Sequence, residues 1–368
     1  MTHKITFFPI GNADSSLIEL SNGKVIQIDF ANMKDKSDSD DKRIDLAKAL
    51  NERVTKENFD VVCITHIDND HIKGSSEYFH LLHANKYQTE GRKKIDELWV
   101  PASAILEEEC EDESKIIQAE ARYRFKQGKQ IKVFSKPKKL KEWCEKNGVD
   151  FEARKHLIVD AGTLVSTFSL GVDGVEFFAQ SPFISHIDDY EIDRNSSAIT
   201  LHLTFSNKAQ TEVVFGSDID WEVWKDIIRV TKLKGNETRL EWDIFHISHH
   251  CSYTALAAEK GDKTTKPDED IKWMFETQGR TGSYIVSPSC PIPSGYDDTQ
   301  PPHKQAANYY TDVANLLSGE FRVTMEFPKT SDPKPMVFKI LDDGGVELEK
   351  AIATASAYIG SSQPPRAG

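Results

Sequence analysis

Short apolar runs broken by turn residues open the chain. KITFFPIG, SSLIEL and KVIQIDF, divided by Gly, Ser and Asn, predict hairpin strands. A polar loop, MKDKSDSDDK, precedes IDLAKALNERV, whose apolar spacing predicts a helix. NFDVVCITH is a continuous β-branched and apolar run that stops abruptly in a polar cluster, the pattern of a buried strand. IDELWVP predicts another strand. From about 104 to 147 the character changes: ILEEECEDESKIIQAEARYRFKQGK carries apolar positions at helical spacing among dense charges, and predicts a mostly helical, charged, exposed insertion. Strands return at HLIVDAG, VSTFSLG, VEFFAQSP, SAITLHLTF and TEVVFGSD, separated by Gly, Asp and Asn turns as in antiparallel sheet. DWEVWKDIIRVTKL predicts a helix with an acidic start suited to its dipole. WDIFHISHH and GSYIVSPS predict strands, and HKQAANYYTDVANLL a last helix. This order predicts an α+β chain of two sheets with helices outside: one compact domain over 1–350 that includes the insertion, and a flexible tail over 351–368.

Composition narrows the partners. The net charge of −13 argues against a nucleic-acid footprint over the whole surface. The run from Lys126 to Lys141 is the exception, with seven lysines and no acidic residue. It reads as a solvated face, with a phosphate-tracking patch or a surface for protein partners as the alternatives. The five cysteines, Cys63, Cys110, Cys144, Cys251 and Cys290, are scattered without a C-x-x-C pair and read as reduced thiols. No stretch reaches bilayer length and MTHKITFFPIG lacks an apolar signal run, so the expectation is a cytoplasmic protein with no membrane association.

Chemistry concentrates at three predicted strand ends. Thr65-His66-Ile67-Asp68-Asn69-Asp70-His71 follows the buried NFDVVCI strand and packs four potential ligands into six residues. Imidazole with carboxylate suits zinc, manganese or iron better than calcium or magnesium. Phe215-Gly216-Ser217-Asp218 ends the strand TEVVF; alone it reads as a turn. Ser248-His249-His250-Cys251-Ser252 ends WDIFHI, and its adjacent imidazoles point in different directions, so one suffices as a ligand. Three polar clusters at three strand ends imply convergence on one sheet edge.

At these residues a resemblance emerges. THIDNDHIKG resembles the metal-binding motif of the metallo-β-lactamase superfamily, and more narrowly that of the soluble C-terminal domain of the competence protein ComEC, where Asp replaces the second His. IGNADSSLIEL, VIQIDFAN, RNSSAITLHL, VVFGSD, WDIFHISHHCS, SPSCPIP and PPHKQA are similar to further segments of that subgroup, in the same order, over about residues 4–315 without the insertion. The resemblance implies a four-layer αββα sandwich. It implies that His66 and Asp68 hold one metal and Asp70 and His71 the other, with Asp218 bridging. His249 is preferred as the closing ligand, with His250 on the substrate side. Asp29 would orient a ligand from behind, and Asp14 would support it. Asn195 stands where much of the superfamily has a further His, and Cys251 where Gly is usual.

The implied activity is a metal-dependent hydrolase holding one or two divalent ions, zinc first and manganese second. Asp70 would orient or deprotonate the attacking water, and His250 or His303 would protonate the leaving group. A phosphodiesterase, most concretely a nuclease acting on DNA or RNA, is the leading expectation. Hydrolysis of a carboxylic ester, thioester or lactone is the second, and a non-catalytic partner subunit of a multi-protein, possibly defence-related, system the third.

Overall fold

The computed structural model describes residues 2–188, 192–206 and 208–351. The predicted tail therefore lies outside the described residues from 352 onward.

A nine-stranded sheet runs in the order Val346–Leu348, Met336–Ile340, His3–Phe7, Ser16–Glu19, Val25–Ile28, Asn58–Cys63, Lys94–Pro101, Ile131–Phe134, Ile158–Val159. A seven-stranded sheet runs Glu320–Val323, Gly279–Ser287, Trp242–His246, Gln210–Phe215, Thr200–Ser206, Val175–Ser181, Thr163–Leu164. Each is antiparallel on one side and parallel on the other; the changeover falls at Val25–Ile28 beside Asn58–Cys63, and at Gln210–Phe215 beside Trp242–His246. Parallel neighbours need crossover connections, which is why helices separate these strands in the chain.

The period-2 alternation of strand side chains puts two faces to use. Leu201, Leu203 and Phe205 face inward with Val213 and Phe215, and meet Ile5, Phe7, Ile26 and Val61 of the other sheet in a shared core. Trp99 stands edge-on to Phe177 across that interface, with ring centroids 5.3 Å apart, a geometry worth about 1 kcal/mol beyond area burial. The outer face of the nine-stranded sheet is covered by helices Leu46–Arg53, Ala102–Leu106, Asp112–Gln127 and Lys138–Lys146. Helices Trp221–Lys234, Glu269–Gln278 and Lys304–Leu316 cover the other sheet. Helix, sheet, sheet, helix makes the four-layer αββα sandwich, the α+β architecture expected.

The segment 104–147 is mainly helical but does not stand outside the domain. Its strand Ile131–Phe134 pairs parallel with Lys94–Pro101, and Ile117, Ala121 and Phe125 pack at helical spacing into the outer core layer. The dense charge that made it read as an exposed insertion is partly internal: Glu120 and Arg124 are both buried and paired at 2.7 Å. Paired charges bury where single ones cannot. No helix among the described residues is long and apolar enough to cross a membrane.

Candidate metal centre

The motif loops do not share one sheet edge, the convergence expected from the sequence. The 216–218 and 248–252 loops leave parallel neighbours of the seven-stranded sheet, and the 65–71 loop leaves Asn58–Cys63 of the nine-stranded sheet, so the site forms where the two sheets face each other. The turn before Ser16–Glu19 lies at the same end of the nine-stranded sheet as the 65–71 loop, because this strand runs antiparallel to Val25–Ile28. Short backbone bonds lock the loops together: Asp14 N–H donates to Asp70 C=O (3.0 Å), Phe30 N–H to His71 C=O (2.9 Å), and His249 N–H to Ser217 C=O (3.0 Å).

The result is a compact donor set. Asp14, His71, Asp218 and His250, all buried, bring one ligand atom each within 4.8 Å of one another. A second group within the same limit joins His66, Asp70 and His71. His71 Nε2 lies 3.3 Å from Asp218 Oδ1 and 3.7 Å from Asp14 Oδ2. His250 Nε2 lies 3.2 Å from Asp70 Oδ2 and 3.4 Å from Asp218 Oδ2.

Partners behind the rings set their orientation. Asp29 Oδ2 is 2.8 Å from His71 Nδ1, and the same carboxylate accepts from the Thr65 N–H and hydroxyl. Pro288 C=O sits 2.9 Å from His250 Nδ1. Each ring therefore donates its Nδ1–H backward and turns Nε2 inward, where a metal replacing the Nε2 proton would be bound. Both oxygens of Asp14, His66 Nε2, His71 Nε2 and Asp218 Oδ1 are buried with no hydrogen-bond partner. Buried polar atoms left unpaired are costly, and five converging on one space fit a cation bound among them. The donor set of carboxylate and imidazole fits a divalent ion such as zinc or manganese.

Electrostatics tell the same story. Burial works against charge on His71 and His250, yet the Asp218 carboxylate and its neighbours outweigh it and hold both rings well above the ordinary histidine range. Burial likewise opposes ionisation of Asp218, but His250 and His71 bring it well below the usual carboxylate range. The pocket demands positive charge, as protons or as a metal.

Backbone strain gathers here too. Asp29, Ser217, His249, His250 and Cys251 all have φ between 49° and 65°. Left-handed backbone in non-glycine residues costs on the order of 1–3 kcal/mol each and persists where surrounding structure imposes it.

Of the residues singled out from sequence, His66, Asp70, His71 and Asp218 meet in this space. The geometry departs from expectation at the paired histidines. His250, not His249, joins the donor cluster, while His249 is only partly buried and turns its Nδ1 toward Thr254 Oγ1 at 3.4 Å. The left-handed run at 249–251 redirects the loop, and nothing in the local sequence pattern announces that. Asp68 falls outside both compact groups: its Oδ1 takes Arg194 Nη1 at 2.6 Å, and its Oδ2 is 3.5 Å from His66 Nε2. His303 is buried beside Tyr253, whose N–H lies 3.4 Å from its Nδ1, and belongs to neither group. Asp29 takes up the orienting position expected of it. Asp14, expected only in support, enters the donor set itself, and His246, to which the sequence assigned no role, places Nε2 3.1 Å from Asp14 Oδ1. His246 shares a strand end with the Ser248–Ser252 cluster, the signal that would have found it.

No protein-family model matches the chain by sequence, and no curated protein does. Similar solved structures include an isothiocyanate hydrolase from Delia radicum gut bacteria, at 11% identity and TM-score 0.39 over 91% of this chain and 99% of that one. A diphosphatase of the PhnP family matches at 12% identity and TM-score 0.30, over 75% of this chain and 73% of that one. A long form RNase Z from yeast matches at 11% identity and TM-score 0.31, over 78% of this chain and 41% of that one. None of these likenesses bears on the individual side chains described above.

Proposed function

We propose that the chain is a metal-dependent hydrolase whose preferred substrate is a phosphodiester. One observation carries the metal reading: four buried donors from three strand ends and a turn converge, and those of Asp14, His71 and Asp218 include buried atoms with no hydrogen-bond partner. Asp14, His71, Asp218 and His250 would hold a divalent ion, with His66 and Asp70 on its flank. A metal held there would lower the pKa of bound water toward neutrality and neutralise the attacked group.

The protein's own groups do the rest. Asp29 and Pro288 C=O hold the two imidazoles in register. Asp70, a third exposed and below the usual carboxylate range despite its burial, stays ionised, so it can orient the attacking water and take its proton. Burial holds His303 below the ordinary histidine range and its Nδ1 faces the Tyr253 N–H, so the ring is neutral and is not the proton donor expected of it. The proton for the leaving oxygen would come from Asp70, which took one from the water. The ComEC-like order of motifs supports phosphodiester cleavage and, at its most concrete, a nuclease.

The second reading, a carboxylic ester, thioester or lactone, is favoured by a specific feature. A cavity of about 760 Å³ beyond the Asp68–Arg194–Glu107 chain is lined by Glu107, Glu108, Glu109 and Glu142 alongside Lys139 and Lys146. Arg194 neutralises Glu107 and Lys138 neutralises Glu142, so the wall is of mixed charge and not the basic track a polynucleotide backbone would need. The lysine run compensates little: Lys136 pairs with Asp160 and Lys138 with Glu142. Zinc- or manganese-loaded protein offered single-stranded DNA, RNA, a small phosphodiester and a lactone separates the readings. Phosphodiester cleavage supports the first; cleavage of the lactone alone overturns it.

A further inference from the structure

The geometry points to Arg194 as the resident cation of Asp68, which limits the centre to a single divalent ion held by Asp14, His71, Asp218 and His250. This rests on the metal reading above and adds its stoichiometry and the residue that sets it.

His71 decides the count. Its Nδ1 is committed to Asp29, so Nε2 is its one free nitrogen. Both compact groups require that atom, and an imidazole nitrogen has one lone pair to give. Assigned to the four-residue group, where Asp218 Oδ1 is nearest at 3.3 Å, it leaves His66 and Asp70 alone in the other. Asp218 lies outside that group, so the bridge implied by the resemblance supplies no third donor, and two side chains fall short of the three that an open catalytic metal site uses.

Asp68 is the natural third donor, and it is taken. Arg194 Nη1 donates to Asp68 Oδ1 at 2.6 Å and reaches Ile67 C=O at 3.3 Å. On its other edge Arg194 Nε donates to Glu107 Oε2 at 2.9 Å, and Nη2 reaches Glu107 Oε1, a two-pronged grip. A guanidinium forked between two carboxylates is fixed in place and permanently charged. A second dication on Asp68 would sit beside that charge and be repelled by it. Asn195 brings no imidazole to replace the missing donor; its backbone N–H is turned to Asp193 Oδ1 at 3.1 Å.

Native mass spectrometry of chelator-stripped protein, re-equilibrated with excess zinc and desalted, reads the count directly. Wild type should carry one ion. Arg194→Ala, which frees Asp68 to join His66 and Asp70, should carry two, and Asp68→Asn should still carry one. Two ions in wild type, one in a folded Arg194→Ala, or none in Asp68→Asn would overturn the proposal. Should Arg194→Ala fail to fold, the counts for wild type and Asp68→Asn decide it. No ion in wild type would instead remove the metal reading itself.

Discussion

The Asp29 carboxylate lies 2.8 Å from His71 Nδ1 and also binds Thr65 through its N–H and hydroxyl. One group, fixed at a left-handed turn after a buried strand, thus sets both the path of the 65–71 loop and the tautomer of its central imidazole. Asp29→Asn would offer an amide N–H where an acceptor is needed and push the His71 proton toward Nε2. Zinc affinity measured by competition with a chelating dye should fall roughly 10–100-fold. Unchanged affinity would show that His71 orients itself.

The two adjacent histidines separate cleanly. His250→Ala removes a buried donor and should lose more zinc affinity than Asp29→Asn. His249→Ala should retain wild-type metal content, because its ring lies outside the donor cluster. Metal analysis of the two purified variants checks this, and the reverse order would restore His249 as the ligand.

Asp70 is assigned to the water. Asp70→Ala should cut turnover on whichever substrate is cleaved by roughly 10²–10⁴-fold, the usual worth of a positioned proton acceptor. As a third of its side chain is exposed, the melting temperature should move little. Turnover within a few-fold of wild type would remove Asp70 from the mechanism.

A buried pair on the outer face of the second sheet contributes to the pH dependence of stability. Burial, with Asp243 nearby, holds Glu212 up to about 7 from 4.5, against the pull of Thr204 and Arg280. Burial brings His202 down to about 3 from 6.5, and its Nε2 lies 3.4 Å from Glu212. The stability tied to protonated Glu212 is full below the unfolded value and lost as pH rises through about 7. That of neutral His202 is full above 6.5 and lost as pH falls toward about 3. The slopes oppose one another between 4.5 and 6.5, and only the Glu212 slope remains above. Glu212→Gln should therefore gain on wild type by about 2 kcal/mol between about pH 5 and about pH 8 in urea unfolding. A pH-independent difference would contradict this.

Much of the architecture was legible because it follows from periodicity. The NFDVVCITH strand, the antiparallel set from Val175 to Phe215 and the helix after Asp220 need only local pattern. HLIVDAG instead pairs parallel in the nine-stranded sheet, VSTFSLG forms no strand, and the three polar strand ends meet because the two sheets pack face to face. What escaped was non-local. Charge in 104–147 masked Ile117, Ala121 and Phe125 because the partnership of Glu120 with Arg124 is visible only in three dimensions. The choice of His250 over His249 depends on three successive left-handed residues, including Cys251, a conformation that residue type does not advertise. The grip of Arg194 on Asp68 joins positions far apart in the chain, beyond any spacing rule.

Anomalous diffraction at the zinc edge from crystals of zinc-equilibrated protein tests the central claim most directly. The account predicts a strong peak about 2.0–2.2 Å from His71 Nε2, His250 Nε2 and carboxylate oxygens of Asp14 and Asp218. A peak elsewhere, or none in that pocket, would contradict it.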